Sequence, residues 1–520
     1  MKVNDLYSNS AMPEPSGRKV KKRIRTEVKK SESTPDVFTK QAEDKNASPV
    51  SLEEILGLQL KIMPGVKTRQ FADSYGRVTH MALMLSSYVS GESRRQVLNA
   101  YKELFTKMEP DTKFTIVVNS SYDKKDVENI IKNNNVPNPE RIKFIQPSSG
   151  SYTVWARDMM VGMYIPGDDK KTALLQQSML HNWHDNDTLV PPMIVKDNPH
   201  IILDKEPRIV TDGGEVMSNV NESFVGYYSI AATAQRIAEQ VRGNPKLERE
   251  VVRYYENSFG KKVIKSIGKI DTIFPFKFVP RQYPKEIHRF NFVMEKNPDY
   301  RPLKVETGQV NEGDMYEELA VRLFTEQMGK PINVMGKDDP ATSHFERPAT
   351  DHLDMGLTPV DEKTMFLGDP RLVRQAFLSM SREELEEAAK ILSGAGEVKF
   401  SADQLLAFAR SDDNPEDFDA YERQLKAKGY EVVRVPHSEP GWSLPYISYN
   451  NCLMERYEKD GKYIKHVFLP VYGIEKLDKM AIDAYKGKGF EVIPIPMNAL
   501  SYRMGALRCI TNWLERSPRG

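Results

Sequence analysis

Four short polar segments stand beside apolar stretches typical of strands, and together they offer the groups needed to attack a planar cation. Cys509 offers a thiolate, a soft nucleophile. His352 can carry protons to a leaving nitrogen and from water. Asp158 and Asp354 can each accept paired N–H donors, which is how carboxylates hold a guanidinium. The segments are Trp155–Asp158, Thr211–Glu215, His352–Asp354 and Gly505–Thr511.

Each of these features also has an ordinary structural explanation. A single cysteine is more often part of the core, and Cys452 is expected to be such a residue. Arg157 and Asp158 could form a surface ion pair, and Asp212–Gly214 could be a turn. Alternation along His352–Asp354 predicts a strand that presents both polar side chains on one face. The four segments together point to guanidinium chemistry more specifically than any one of them does alone.

A repeated helix–strand pattern indicates how distant segments could meet. Tyr421–Pro436 and Ala481–Pro496 each contain a helical stretch, Lys-Gly, an aromatic residue, Glu-Val and an apolar strand closed by Pro. Gly429 and Gly489 fit helix C-caps that need a left-handed backbone. Recurrence of such units predicts related α/β elements around a common centre, with the polar segments at one face. Looser copies are Val97–Val118 and Tyr316–Met335.

The chain divides into a polar start and one long ordered region. Residues 1–55 are predicted to be a disordered basic tail, with its charge concentrated in Gly17–Lys30. We interpret that run as a solvated charged tail rather than a targeting signal. Residues 56–520 are predicted to form a single catalytic domain. Helical insertions into its repeating frame are expected at about 228–305 and 376–418.

The second insertion carries a helix-start signal. Ser381 followed three residues later by Glu384 predicts a capping box, in which each side chain accepts a hydrogen bond from the other residue's backbone N–H. The helix that it begins is expected to cover the following Glu- and Ala-rich stretch.

Composition excludes several classes of protein. The 520 residues are 39% hydrophobic, and Lys+Arg 74 against Asp+Glu 73 gives a net charge of +1, so nucleic acid is not an expected partner. No apolar run reaches the ~20 residues of a membrane helix. Two cysteines and the absence of a signal-like start favour a reducing, cytoplasmic location. Secretion without a cleaved signal stays open, and the oligomeric state is not predicted.

Five motifs follow one another along the chain, from Trp155-Ala156-Arg157-Asp158 to the segment around Cys509. Their order resembles that of the agmatine deiminase and bacterial peptidylarginine deiminase family, within the pentein superfamily of guanidine-modifying enzymes. The resemblance spans roughly residues 75–515. It implies an α/β fold, the pentein five-bladed α/β propeller of repeated ββαβ-type units, and chemistry that needs no metal or cofactor. The motifs are Trp155-Ala156-Arg157-Asp158, Asp212-Gly213-Gly214, His352-Leu353-Asp354, Ser448-Tyr449-Asn450-Asn451 and Gly505-Ala506-Leu507-Arg508-Cys509-Ile510-Thr511.

The resemblance also implies catalytic roles. Cys509 would attack the guanidinium carbon and form an amidino–thioether. His352 would protonate the departing ammonia and later activate water. Asp158 and Asp354 would hold the guanidinium nitrogens. The substrate-binding positions would be Trp155, Arg157, Asp212 and Asn451.

Three functions remain open from the sequence. The first is a guanidino-group hydrolase acting on a small molecule such as agmatine or on arginine in a peptide or protein. The second is an amidinotransferase that uses the same Cys and His. The third is a non-catalytic module that binds arginine side chains. The chain departs from the family pattern at Ala506, where a second glycine is usual, and at Met355-Gly356 after the His-x-Asp motif.

Overall fold

The computed structural model describes most of the chain from residue 67 onward, and the predicted tail at 1–55 lies outside the described residues. All described residues belong to one compact unit within Val50–Gly520. The described ranges are 67–147, 150, 152–177, 185–205, 208–265, 273–274, 276–280, 292–297, 300, 303–336, 350, 352–395, 399–410, 416–438 and 446–519.

Strands and helices alternate through these ranges. The strands are β1 (Arg69–Gln70), β2 (Arg77–Leu85), β3 (Lys113–Val118), β4 (Ile142–Ile145), β5 (Met160–Ile165), β6 (Asp168–Gln176), β7 (Ile201–Asp204), β8 (Val216–Ser218), β9 (Ser223–Gly226), β10 (Lys262–Ile264), β11 (Phe276–Pro280), β12 (Phe292–Lys296), β13 (Gln309–Asn311), β14 (Ile332–Met335), β15 (Leu357–Pro359), β16 (Thr364–Asp369), β17 (Glu431–Ser438), β18 (Ile447–Ser448), β19 (Leu453–Lys459), β20 (Lys462–Val471), β21 (Glu491–Pro496) and β22 (Thr511–Ser517). The α-helices are α1 (Gly91–Lys107), α2 (Ser121–Asn133), α3 (Val190–Asp197), α4 (Tyr227–Arg242), α5 (Pro245–Phe259), α6 (Glu312–Met328), α7 (Leu353–Gly356), α8 (Pro370–Leu378), α9 (Arg382–Ala395), α10 (Ala402–Arg410), α11 (Glu416–Ala427) and α12 (Glu475–Gly487).

Five sheets share one plan, which we call a blade. In each blade a first strand pairs antiparallel with a second, and a helical crossover leads to a third strand parallel to the second. The predicted ββαβ-type repeat is therefore confirmed. In order, blades one to five are β22–β2–β3, β5–β6–β7, β8–β9–β14, β15–β16–β17 and β19–β20–β21.

Hydrogen bonds join each blade to the next and close the ring. The C-terminal strand β22 belongs to blade one beside β2, so the two ends of the domain meet in one sheet. This closed ring of five units confirms the predicted five-bladed α/β propeller. The joining bonds are Asn512 Nδ2 to Met160 O (2.8 Å), Thr68 Oγ1 to Gln327 O (3.1 Å), Asp354 N to Gly214 O (3.1 Å), Thr358 Oγ1 to Asn450 O (2.8 Å) and Gly76 N to Arg456 O (2.8 Å).

The helix–strand copies predicted from sequence are the crossovers of four different blades. They correspond to α11–β17, α12–β21, α6–β14 and α1–β3. Gly429 and Gly489 follow their helices with φ of +86° and +80°, the left-handed conformation expected of them. The crossover of blade two escaped the sequence pattern, because its helix α3 is short and begins with Pro191-Pro192 after Val190.

Extra helices lie in the crossovers of blades three and four. Helix α5 follows α4 inside the first expected insertion, and α9 and α10 lie inside the second. The capping box is confirmed, because Ser381 N donates to Glu384 Oε2 at 2.6 Å and Glu384 N donates to Ser381 Oγ at 3.2 Å. Among the helices of the described ranges, none combines the length and apolar character that crossing a membrane requires.

The apolar faces of the blades and their helices form the core. Cys452 belongs to it, as expected, with its Sγ 3.2 Å from the hydroxyl of Tyr485. Burial raises the pKa of this thiol to about 12, so Cys452 is an inert core residue at physiological pH.

Candidate active site

Every segment of the candidate site stands immediately before the first strand of a blade, and each comes from a different blade. Because neighbouring blades contact one another through these strands, as β22 does with β5 and β15 with β8, the segments converge from all five units. The propeller thus turns five remote stretches of sequence into one cluster. In chain order the residues are Asp158 before β5, Asp212 before β8, His352 and Asp354 before β15, Asn451 before β19, and Cys509 before β22.

The His352–Asp354 segment differs from its sequence prediction. His352 has an extended backbone, with φ −121° and ψ 139°, but Leu353–Gly356 is a single helical turn. The predicted strand is therefore wrong. The turn brings the backbone N–H of Asp354 to the carbonyl of Gly214 at 3.1 Å, and it buries the Asp354 side chain completely. A hydrogen bond to the neighbouring blade therefore replaces the strand pairing that the alternation of polar and apolar residues predicted.

The imidazole of His352 lies between two carboxylates. Its Nε2 is 3.3 Å from Asp212 Oδ2, and its Nδ1 is 3.8 Å from Asp158 Oδ1. Gly214 makes room for the ring, because a Cβ at that position would come within 2.5 Å of Nδ1. The side chain of His352 keeps 14% of its surface exposed, whereas Asp212 is fully buried. The imidazole is therefore the part of this trio most open to an incoming molecule.

The surroundings of His352 favour its protonated form. Burial alone would lower the pKa of His352, but the carboxylates of Asp212 and Asp158 raise it well above its ordinary value. Asp354 acts in the same direction. The ring is thus an imidazolium at neutral pH, ready to donate a proton.

Asp212 is fixed by its own turn. Its Oδ1 accepts hydrogen bonds from the backbone N–H groups of Gly214 at 2.9 Å and Glu215 at 3.0 Å. Oδ2 is directed to His352. The turn considered from the sequence is therefore present, and it orients the carboxylate that faces the imidazole. A contact of Asp212 with substrate stays a prediction.

Cys509 is held through its backbone in a buried turn and is only 3% exposed. Its N–H donates to Asn451 Oδ1 at 3.1 Å, and its carbonyl accepts from the N–H of Arg157 at 3.0 Å. Its Sγ lies 3.9 Å from the sulfur of Met355. Asn451 thus contacts the nucleophile candidate directly and orients it from the adjacent blade.

The thiol of Cys509 is neutral in this environment. Burial raises its pKa well above the ordinary value, and the carboxylates of Asp354 and Asp158 raise it further. The same two aspartates also raise the pKa of His352. Cys509 and His352 therefore both lie near the carboxylates of Asp354 and Asp158, whose charge a bound cation would offset.

Arg508, the residue before Cys509, anchors Asp354. Its Nη1 donates to Asp354 Oδ2 at 2.5 Å, and its Nη2 donates to Asp73 Oδ1 at 2.8 Å. All three side chains are buried. Burial raises the pKa of Asp354 while Arg508 opposes that rise. The second oxygen of Asp354, Oδ1, has no hydrogen-bond partner among the described residues, so it can accept from a ligand.

Arg157 has a supporting position beneath the site. Its guanidinium stacks on the ring of Trp513 at 3.7 Å, and its Nη1 donates to Asn512 Oδ1 at 3.2 Å. It is buried, which excludes the surface ion pair with Asp158 that the sequence allowed. These contacts hold the strand that follows Cys509, so the role of Arg157 as a substrate-binding residue stays a prediction.

Trp155 packs on the other side of the nucleophile turn. Its ring lies so close to Gly505 that a Cβ there would come within 2.4 Å of it. Its Nε1 donates to the hydroxyl of Tyr88 at 3.4 Å. Glycine at 505 is therefore required for the contact between Trp155 and the turn that carries Cys509, and the predicted contact with substrate stays a prediction.

Sequence reasoning missed the anchoring pair of Arg508 and Asp73. Arg508 stands inside the Cys509 motif, but nothing in its spacing indicated burial. Asp73 lies in a stretch, Phe71-Ala72-Asp73-Ser74, without any motif. A charged residue preceded by an apolar one is the signal that both share, and it is weak because many surface residues share it.

The spacing of the acidic groups in the cluster admits a cation. Ligand atoms of Asp158, Asp212 and His352 all lie within 4.8 Å of one another, close enough for a metal ion. A neighbouring thiol and a third buried carboxylate, Asp354, suit a planar organic cation as well. Only the organic cation gives the thiol an electrophilic carbon to attack.

Comparisons with known proteins give a likeness of fold. No protein-family model matches the chain, and no curated protein is similar to it in sequence. An agmatine deiminase of C. jejuni has 11% identity and a TM-score of 0.46, over 88% of this chain and 99% of that one. A putative peptidyl-arginine deiminase has 11% identity and a TM-score of 0.46, over 86% and 99%. The agmatine deiminase of Enterococcus faecalis has 11% identity and a TM-score of 0.44, over 88% and 99%. Likeness at this level does not define an activity.

Proposed function

We propose that this chain is a cysteine-dependent guanidino-group hydrolase, a deiminase that converts an arginine-derived substrate into its ureido product and ammonia. The observation that carries the proposal is the shared environment of Cys509 and His352. Two aspartates, Asp158 and Asp354, raise the pKa of both the thiol and the imidazole. A cation between those carboxylates is the ligand that such a site requires.

Binding of the guanidinium would activate the nucleophile. Before a substrate binds, burial and two carboxylates favour the neutral thiol of Cys509. A guanidinium bound to Asp158 and Asp354 would offset that negative charge and lower the pKa of the thiol. The thiolate would therefore form mainly when substrate is present, which protects an otherwise reactive cysteine.

The reaction would proceed in two halves. The Cys509 sulfur attacks the guanidinium carbon, and the tetrahedral adduct expels ammonia as the imidazolium of His352 gives up its proton. This leaves an amidino–thioether and a neutral imidazole. The neutral His352 then takes a proton from water, and the oxygen adds to the same carbon. Collapse of the second adduct breaks the C–S bond, the hydroxyl proton passes to solvent, and the neutral ureido product leaves. The thiolate, whose proton went to solvent when the substrate bound, is then protonated again.

The roles of the carboxylates follow from their contacts. Asp354 has one oxygen on Arg508 and the other without a partner among the described residues, so a substrate N–H is its natural donor. Asp212 faces His352 and would keep it oriented and protonated. Asn451 would hold the backbone of Cys509 while the sulfur reacts.

Ammonia release tests the proposal. The purified chain should release ammonia from at least one of arginine, agmatine and an arginine-containing peptide. Cys509→Ala should abolish release, while Cys452→Ala, the matched control in the core, should retain it. Formation of carbamoylputrescine would indicate a small-molecule deiminase, and citrulline within a peptide would indicate a protein substrate. Absence of turnover across this panel would contradict the hydrolase.

The same assay separates the two other functions. An amidinotransferase would release little ammonia and would instead transfer the amidino group when a primary amine is supplied. A non-catalytic module would bind arginine peptides equally well with or without Cys509, and would show no turnover. The amidinotransferase and the non-catalytic module would use the same carboxylates as the hydrolase, so a binding assay alone does not distinguish the three functions.

A further inference from the structure

We propose a second site, unrelated to guanidinium chemistry: His80, His200 and Glu515 bind a divalent transition-metal ion, with zinc the best fit. The three residues each offer one ligand atom, and these atoms all lie within 4.8 Å of one another. They come from β2, from the connection before β7, and from β22. The cluster therefore joins blades one and two.

His80 provides the first argument for this site. It pairs with Glu515 across the β2–β22 ladder at an irregularity in register, and it is 3% exposed. Its Nε2 lies 2.9 Å from the hydroxyl of Thr115, while its Nδ1 is buried without a hydrogen-bond partner in the described part of the chain. In the tautomer whose Nε2–H donates to Thr115, Nδ1 keeps its lone pair, and this is the usual state of a metal-binding histidine.

His200 and Glu515 provide the second argument. The Nε2 of His200 lies 2.6 Å from Glu515 Oε1, yet among the described residues that nitrogen has no partner in hydrogen-bond geometry. A simple ion pair would account for these two residues but would leave the buried Nδ1 of His80 unsatisfied. A metal ion accounts for all three.

Two lysines near His80, Lys113 and Lys143, would repel a bound cation. Both are exposed, so salt screens much of that repulsion.

The donor set indicates the class of metal. Two imidazoles and one carboxylate suit Zn²⁺, which prefers nitrogen and oxygen ligands in a tetrahedral arrangement. The side chains of His200 and Glu515 are 33% and 19% exposed, which leaves a side from which water can supply the fourth ligand. Magnesium or calcium, which prefer oxygen ligands throughout, fit less well.

The proposed metal has a structural consequence. Glu515 lies four residues beyond Thr511, where β22 begins, and Cys509 stands just before that strand. Four residues of strand span roughly 13 Å, so the metal site and the candidate nucleophile lie toward opposite ends of β22. A metal here would fasten the C-terminal strand to the neighbouring blade, and this predicts an effect on stability before any effect on chemistry.

Metal titration of the full chain, first stripped with a chelator, tests the proposal. Zn²⁺ titrated against a chromogenic competitor should show one tight equivalent, together with a rise in melting temperature. His200→Ala and Glu515→Gln, which alter partly exposed side chains, should each weaken Zn²⁺ binding at least ~10-fold and remove the thermal shift. Asp212→Asn should leave this equivalent intact, which excludes the other metal-capable cluster. His466→Ala, which removes a histidine paired with a single carboxylate, Glu491, should also leave it intact.

The absorption spectrum of the Co²⁺-loaded protein gives a second test that does not depend on the variants. Co²⁺ should produce the visible bands of a tetrahedral nitrogen–oxygen site, without the near-ultraviolet band of thiolate ligation. Failure to bind Zn²⁺ would overturn the proposal. So would binding of equal strength in His200→Ala and Glu515→Gln with native circular dichroism, or a cobalt spectrum with thiolate character.

Discussion

Arg508 Nη1 donates a hydrogen bond to Asp354 Oδ2 at 2.5 Å, and through it the turn of the candidate nucleophile is tied to the carboxylate of another blade. The same guanidinium reaches Asp73 Oδ1 at 2.8 Å. The planar guanidinium of Arg508 thus donates hydrogen bonds to two buried carboxylates at once. The geometry of the site therefore depends on an arginine that has no part in the proposed chemistry.

Replacing this arginine should damage both stability and activity. Lysine in Arg508→Lys keeps the charge but cannot present the planar fork to Asp73 and Asp354 together. Each lost charge-assisted bond in such a place costs about 1.5–3 kcal/mol. We expect a lower free energy of unfolding in urea and at least a ~10-fold loss of ammonia release. Unchanged stability would show that the bridge between the two aspartates is not needed.

Gly214 should be intolerant of any side chain. A Cβ there would come within 2.5 Å of His352 Nδ1, so Gly214→Ala should displace the imidazole from Asp158 and Asp212. We expect turnover to fall by ~100-fold or more, in line with the contribution of a misplaced general acid. Gly243→Ala is the matched control, because a Cβ at Gly243 meets no atom within 4 Å. Equal activity of the two variants would remove His352 from the mechanism.

The reactivity of Cys509 should depend on the charge of the reagent. Because Asp354 and Asp158 raise the pKa of the thiol, the neutral reagent iodoacetamide should modify it slowly at pH 7. A haloacetamidine carries a guanidinium-like cation, so it should modify Cys509 faster than Cys452. Asp354→Asn should abolish the preference for the cationic reagent. Mass spectrometry of the two cysteine peptides measures both rates, and equal labelling of Cys509 and Cys452 would count against the site.

The alkaline limb of activity should move when Asp212 loses its charge. Asp212 and Asp158 raise the pKa of His352, so the imidazolium that donates to ammonia persists to higher pH than in an ordinary histidine. Asp212→Asn lowers that pKa, and activity should therefore be lost at lower pH as alkali is added. The pH profile of kcat/KM in the two proteins checks this. A shift of the alkaline limb to higher pH would contradict the assignment.

Glu455 should make the fold less stable as pH rises. Burial raises the pKa of this carboxyl from 4.5 to about 7. Between those values the folded protein keeps a proton that the unfolded chain has released, so the free energy of unfolding falls with rising pH, by on the order of 3 kcal/mol at most. Glu455→Gln should remove this fall while still accepting the N–H of Val78, which now lies 2.7 Å from Oε1.

Urea unfolding between pH 4 and 8 measures the effect of Glu455. The exposed Glu458→Gln, on the same strand, should leave the pH dependence of the parent unchanged. If the free energy of unfolding falls equally with pH in the parent and in Glu455→Gln, the proton is held by another group.

The sequence by itself determined the repeating frame of this protein. Helix periodicity, the C-cap glycines Gly429 and Gly489 and the apolar strands that follow are local features, and local backbone preferences decide them. The residue types of the site were also visible, because a thiol, an imidazole and several carboxylates in ordered motifs are unusual together.

Only the tertiary structure decided how those residues meet. The turn at Leu353–Gly356 replaced the predicted strand because a bond to Gly214, far away in sequence, fixes Asp354. Arg157 proved to stack on Trp513, and Arg508 to join Asp73 with Asp354, since burial and partners depend on contacts between blades. The cluster of His80, His200 and Glu515 arises for the same reason. The ring brings β2 and β22 of blade one beside blade two, and no spacing within the chain encodes that contact.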